Sequence, residues 1–324
     1  MKRRTFIQAG AALAAGAPMV RSTMAQTANF PTKPIRFVIP TTPGSVSDAV
    51  ARVYGEAMAK RLAQPVVVDN MPGAETLLAV RHVAKSRPDG YTLTVSANTL
   101  VTLPYVHPAS GYAPSDFTGI SYLSKMPMAL VVAADAPYKT IADLVALAKK
   151  SPGSVAFGSV GVGTTSHIPV ELFAHTAGIT LNMVPYKGIP LAIPDVVTGR
   201  VAFMMGTAPS VRELIKAGRL RALAVTSEAR SADFPGVPTF AELGYKDATY
   251  ELFLGLMAPA NTPSDLIQLL ASAAEEVKKD PAVRERLQAL GQEMPTQSSP
   301  EQFNAFLRGE EARMKKIVKD AHIQ

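Results

Sequence analysis

An α/β fold with a largely parallel sheet is the architecture this sequence predicts, and two observations predict it. From Ile35 onward, short β-rich runs alternate with segments of helical period. The chain is also long and apolar enough to bury a large core, with 324 residues, 47% of them hydrophobic and 18% charged. At roughly one domain per 100–200 residues, this length suggests two domains.

The elements follow in order. Ile35-Arg36-Phe37-Val38-Ile39 reads as a strand stopped by Pro40. Val50, Val53, Tyr54, Ala57, Met58 and Leu62 recur at helical spacing behind Asp48, an acid near the positive end of that helix. Further strands are expected at 66–68, 91–95, 155–157, 182–184, 201–205 and 221–225, most of them separated by helical segments. After the apolar run at 251–256 the chain turns helical. Thr262-Pro263-Ser264-Asp265 combines a hydroxyl cap, proline at the first helical position and a following acid; Asp280-Pro281 and Ser299-Pro300-Glu301-Gln302 open two more helices in similar fashion. Phe303, Phe306, Leu307, Met314, Ile317 and Val318 form an apolar stripe on the last helix, which reads as core packing. With no repeat, low-complexity segment or long linker, two domains must be joined by short crossings, for which 123–127 and 248–252 are the candidates.

Composition removes whole classes of function. The chain has no cysteine, which excludes a disulfide scaffold, thiolate zinc, iron–sulfur clusters and a cysteine nucleophile. Its formal charge is +7, yet Lys2, Arg3, Arg4 and Arg21 fall in the first 25 residues, leaving 29 basic against 26 acidic residues. No basic cluster interleaves with aromatics, so a nucleic-acid partner is not expected. Lys2-Arg3-Arg4-Thr5-Phe6-Ile7, the Ala/Gly-rich stretch behind it and the small-residue end Thr23-Met24-Ala25 have the three parts of a cleavable signal peptide at 1–25. Its arginine pair resembles a twin-arginine export signal, although such pairs also begin ordinary secretory signals. The mature protein is expected to be soluble and periplasmic.

Ligands in open parallel sheets bind beyond the carboxyl ends of the strands. After Ile39 stand Thr41, Thr42, Gly44, Ser45, Ser47 and Asp48; after Val95, Ser96, Asn98 and Thr99; after Phe157, Ser159, Gly161, Gly163, Thr164, Thr165, Ser166 and His167; after Met205, Gly206 and Thr207. Four loops thus offer hydroxyls, amides and close-approach glycines, and two lead into helices whose N-termini favour an anion. Each residue alone also suits a helix cap or turn. Asp48 either stabilises its own helix and pairs with Arg52 at i+4, or points into a cleft.

Enzyme signatures fail on residues. A nucleophile elbow would need glycine where Phe157 stands, the run at 161–166 lacks the third glycine of a dinucleotide loop, and no phosphate-binding P-loop occurs. His167, Glu171 and His175 share a helical spacing that drifts around the axis and falls short of a zinc site, so no metal is expected. A triad of Ser159, His167 and Asp48 is conceivable without evidence of mutual geometry, which keeps a hydrolase as the competing reading.

Taken together, several stretches resemble one family. They are Pro31-Thr32-Lys33-Pro34-Ile35-Arg36, Gly44-x-x-x-Asp48-x-x-x-Arg52, Gln64-Pro65-Val66-Val67-Val68-Asp69-Asn70, Pro88-Asp89-Gly90-Tyr91-Thr92-Leu93, Ser159-x-Gly161-x-Gly163-Thr164-x-x-His167, Val184-Pro185-Tyr186-Lys187-Gly188, Leu223-Ala224-Val225-Thr226-Ser227, Val237-Pro238-Thr239 and Gly255-Leu256-Met257-Ala258-Pro259. In this order and spacing the chain resembles the Bug or TctC family of extracytoplasmic solute-binding proteins, which serve tripartite tricarboxylate transporters. The resemblance implies a type II periplasmic binding protein with two α/β domains, a ligand cleft between them and no catalysis. It implies domain 1 at 26–123 plus 252–324, domain 2 at 124–251, no cofactor, a monomer, and membrane permease subunits as partners; a sensor role is the variant reading.

The resemblance also implies a small organic acid held by loop amides, hydroxyls and water rather than by an arginine clamp. Carried over residue by residue, it places ligand against Thr41, Thr42, Ser45, Ser47, Asp48 and Asn98 of one domain and Ser159, Gly163, Thr164, Thr165 and His167 of the other, with Tyr186 and Thr207 as weaker candidates. Lys187 reads as a solvated or structural cation. Three departures bear on specificity. The paired glycines of the first loop are reduced to Gly44-Ser45, the pattern Asn-Arg-Pro-Gly-Ala-Gly-Gly becomes Asn70-Met71-Pro72-Gly73-Ala74-Glu75-Thr76, and Phe253 stands where a tryptophan is usual. Glu75 either faces the cleft, where it would oppose a second ligand carboxylate, or lies exposed on the surface.

Overall fold

The computed structural model describes residues 30–107, 109–295 and 299–320, so the signal-peptide reading at 1–25 falls outside the described residues. The chain begins β1 (Ile35–Ile39), α1 (Val46–Leu62), β2 (Val66–Asn70), α2 (Leu77–Ala84), β3 (Thr92–Ala97), α3 (Thr99–Val106) and β4 (Phe117–Met126). It continues through β5 (Met128–Ala133), α4 (Ile141–Lys150), β6 (Ala156–Ser159), α5 (Ile168–Ala177), β7 (Asn182–Pro185), α6 (Ile189–Val197), β8 (Phe203–Thr207), α7 (Ala208–Lys216) and β9 (Leu220–Val225). It closes with β10 (Leu252–Pro259), α8 (Ser264–Lys278), α9 (Pro281–Ala289) and α10 (Pro300–Asp320).

The strands form two five-stranded sheets, ordered β2-β1-β3-β10-β4 and β7-β6-β8-β5-β9. In the first, β1 runs parallel to β2 and β3, while β10 is antiparallel to β3 and β4. The second repeats the plan: β6 is parallel to β7 and β8, and β5 is antiparallel to β8 and β9. Both sheets therefore change direction of strand order at one place, at β1 and at β6. In an open sheet that change opens a crevice beyond the carboxyl end of the central strand. The sheets meet at a crossing of one residue, Pro127, between β4 and β5.

Local chemistry explains the elements. Ser45 caps α1 by accepting from the Asp48 N–H, Thr140 and Asp143 form a reciprocal capping box on α4, and Asp280 caps α9 by accepting from the Ala282 N–H with Pro281 at the first position. Ser299 and Gln302 exchange the same pair of bonds ahead of α10. One expectation shifts: α8 opens at Ser264 behind Pro263, and the Thr262 hydroxyl donates to the Pro259 carbonyl at 2.7 Å instead of capping the helix. The α10 stripe is core, as its spacing implies. Phe303, Leu307, Met314 and Val318 are buried, and Phe306 and Ile317 pack against them.

At the centre of this packing Phe303 meets Tyr122, Phe253 and Phe306, with ring centroids 5.6, 6.2 and 6.3 Å away. The ring lies over β10 at Gly255, where an added Cβ would come 2.3 Å from its Cζ. Because the three neighbouring rings hold Phe303 in place, it cannot yield cheaply. Gly255→Ala is expected to cost about 2 kcal/mol, the usual scale of overpacking, read as a lower urea midpoint at unchanged slope. An unchanged midpoint would show that the ring turns aside freely.

Candidate functional site

A cavity of about 280 Å³ opens between the loops at the two strand-order changes. Its walls are Pro40, Thr41, Val46 and Ser47 from the β1–α1 connection, Ala97 and Thr99 from the β3–α3 connection, and Val160, Thr164 and Thr165 from the β6–α5 connection. Thr76, Met126, Leu252, Leu254 and Gln292 complete it. Half of these residues are apolar, six carry hydroxyls and one carries an amide; none bears a charge. An anion in this space would be held by neutral donors and helix ends.

The first loop is set by a network that unites two of the sequence motifs. Asp48, 3% exposed, accepts from the Gly44 N–H at 2.9 Å, from Arg52 Nε at 3.1 Å and from Asn70 Nδ2 at 3.0 Å. Arg52 Nη2 also donates to Asn70 Oδ1, and Asn70 Nδ2 reaches the Thr41 carbonyl, both at 3.1 Å. Burial alone would raise the Asp48 carboxyl, but the hydrogen bonds from Arg52, Gly44 and Asn70 together hold it below its ordinary value. The structure thus gives Asp48 the helix-stabilising, Arg52-paired arrangement, with its oxygens turned to the protein. Ser45 shares a 2.6 Å hydroxyl contact with Thr41. Thr42 is exposed and does not line the cavity.

The second loop is held from within. Ser159 Oγ lies 3.0 Å from Ser166 Oγ, the Val160 N–H donates to Ser166 Oγ at 3.0 Å, and the Thr164 hydroxyl donates to the Gly161 carbonyl at 2.7 Å. His167 is buried; its Nδ1 accepts from the Gly163 N–H at 3.4 Å and its Nε2 faces Glu171 Oε1 at 3.4 Å. Burial pushes the imidazole down to about 4 and raises the Glu171 carboxyl. Gly163 has a φ of +75° and sits so close to α3 that an added Cβ would meet Val106 at 3.1 Å, which brings this loop directly against the first sheet's helices.

Of the sequence-derived candidates, Thr41, Ser47, Thr164 and Thr165 come together on the cavity wall. Asn98 is fully buried beside it, with Oδ1 accepting from the Phe253 N–H and Nδ2 donating to the Glu251 carbonyl, both at 3.0 Å. Its amide fastens the chain where β10 begins. The Tyr186 hydroxyl donates to Asp195 at 2.7 Å, and Thr207 Oγ1 lies 3.2 Å from Ser210 Oγ; neither residue lines the cavity. Sequence reasoning missed Val46, Thr76, Met126, Leu252, Leu254 and Gln292. Glu75 belongs to the single turn Ala74–Thr76, but its side chain lies outside the described residues.

His175 faces a different, charged groove with Glu228, Lys246 and Arg313, away from the cavity that Thr164 and Thr165 line. Among the described residues, no three histidine or acidic side chains form a metal-binding group, and no helix is long and apolar enough to cross a membrane.

The comparisons with known proteins agree on one lineage. The profile TctC, described as "Tripartite tricarboxylate transporter family receptor", matches residues 50–323. The protein BugT of Bordetella pertussis is 35% identical over 294 residues, 90% of each chain. Two solved structures from Rhodopseudomonas palustris superpose on nearly the whole chain. Rpa4515 with adipate has a TM-score of 0.80 at 30% identity, covering 91% of this chain and 99% of that one. MatC with bound malate has a TM-score of 0.78 at 28% identity, covering 89% and 100%. The repeated sheet plan, the loops gathered at both strand-order changes and these matches along nearly the whole described chain have one reading: the chain belongs to the TctC family of tripartite tricarboxylate transporter receptors and has the periplasmic-binding-protein fold.

Proposed function

We propose that this protein is a periplasmic receptor that captures a small carboxylate between its two sheets and delivers it to a membrane permease of the tripartite tricarboxylate type. The observation that carries the reading is the uncharged, hydroxyl-lined cavity to which both sheets contribute loops. Hydroxyl donors there would meet carboxylate oxygens, and the apolar walls at Val46, Met126, Val160, Leu252 and Leu254 would accept the carbon chain. The side-chain hydroxyls of Ser47, Thr99 and Thr165 have no hydrogen-bond partner among the described residues, so they are available to a solute. Residues 26–123 with 252–324 and residues 124–251 would act as the two lobes, closing about the crossings at 123–127 and 248–252. Removal of residues 1–25 on export would release the mature receptor.

A hydrolase finds less support. Ser159 Oγ is engaged with Ser166, His167 with Gly163 and Glu171, and Asp48 with Arg52, Asn70 and Gly44, so none of the three serves another.

Calorimetric titration of the purified mature protein with malate and with adipate tests the reading. Saturable binding at about micromolar affinity, with the acid recovered unchanged, is the expected result. Failure of both acids to bind, or their turnover, overturns it.

A further inference from the structure

We propose that Thr76 is a specificity-determining residue of the cleft, its hydroxyl completing its hydrogen bonding on a polar group of the captured solute. The inference rests on the receptor reading above and adds a residue to it.

Three observations meet at Thr76. It precedes α2 with a φ of +83°, in the left-handed region that β-branched residues avoid because Cβ crowds the backbone. Glycine would occupy this conformation without strain. The strain does not serve the helix, since the Thr76 side chain makes no capping bond to α2. Finally, Thr76 Oγ1 is closed off from solvent and has no hydrogen-bond partner, although the residue lines the cavity. A strained residue with an unsatisfied hydroxyl is costly to the fold twice over, and no hydrogen bond within the protein offsets the second cost. A solute group entering from the cavity offsets the second once the Thr76 side chain turns its hydroxyl toward it. Because no charged side chain lines the space, a carboxylate there depends on each hydroxyl it meets, and Thr76 lines the cavity together with Ser47 and Thr99.

The test is calorimetric titration of wild type, Thr76→Val, Thr76→Gly and Thr76→Ser with malate and adipate. Valine keeps the branched shape and removes the hydroxyl. Glycine removes both hydroxyl and strain, so it remains readable should the valine variant fold poorly. Thr76→Val and Thr76→Gly are expected to bind roughly fivefold more weakly than wild type, the scale of one lost hydrogen bond, with Thr76→Ser within about twofold. Thr76→Gly should at the same time be at least as stable to urea as wild type, so that affinity and stability move in opposite directions. Valine and glycine variants that bind as tightly as wild type overturn this inference and leave the receptor reading standing. Wild type that binds neither acid overturns the receptor reading, and this inference with it.

Discussion

Alanine at position 48 is expected to lower the unfolding free energy by about 3 kcal/mol and to weaken carboxylate capture by at least about tenfold. The Arg52 contact contributes little of this, because that guanidinium is half exposed and water screens it. The loss comes from the inner partners. Without Asp48 the Gly44 N–H and Asn70 Nδ2 lose a charged acceptor, and the loop bearing Thr41 and Ser47 is left tied to β2 by the Asn70–Thr41 bond without the carboxylate that braced it. Asn at this position restores the shape but turns an amide N–H toward Arg52 or Asn70, so Asp48→Asn should recover less than half of the loss. The acid dependence has a definite sign. The folded carboxyl lies below its ordinary value, so its stabilisation is present above the unfolded value near pH 4 and is lost as pH falls through the folded one. Urea midpoints of wild type and Asp48→Asn should therefore converge below about pH 4. An alanine variant as stable and as tightly bound as wild type would mean that the loop is anchored elsewhere.

The Asp48 network also shows how far the sequence can be read. Gly44, Asp48 and Arg52 are four apart, so their contacts are local, and the alternation of strand and helix places the loops after β1 and β6 without tertiary knowledge. That is why Thr41, Ser47, Thr164 and Thr165 can be found from strand ends alone. Asn98 marks where such reading stops. It stands at a strand end like the others, yet its amide is used by Glu251 and Phe253, more than 150 residues away, a pairing set by β10 lying beside β3. Leu252, Leu254 and Gln292 reach the cavity by the same long return of the chain and carry no local signal. Tyr186 differs again, because an acid nine residues on takes its hydroxyl. Thr76 lines the cavity in a left-handed backbone conformation that is invisible in composition or period.

Between pH 7 and pH 4 wild type should lose about 3 kcal/mol of stability that a His167→Gln variant keeps. The imidazole is buried beside Phe157, at 6.0 Å between ring centroids, and burial carries it from 6.5 to about 4 in the folded protein. The unfolded chain therefore binds a proton that the folded one refuses, so stability is flat above pH 6.5 and falls as pH drops toward 4. Glu171 works in the opposite direction, since its carboxyl is raised in the folded state, and comparison with His167→Gln separates the two because Glu171 is present in both proteins. The same protonation reaches the cleft. A proton on Nδ1 removes the acceptor of the Gly163 N–H and loosens the loop that presents Thr164 and Thr165, so capture should weaken over the lower part of this range. Nuclear magnetic resonance titration of the His167 ring gives the folded value directly. A midpoint near 6.5, or parallel stability profiles for wild type and His167→Gln, would show that the imidazole reaches water and that the loop does not depend on its neutral form.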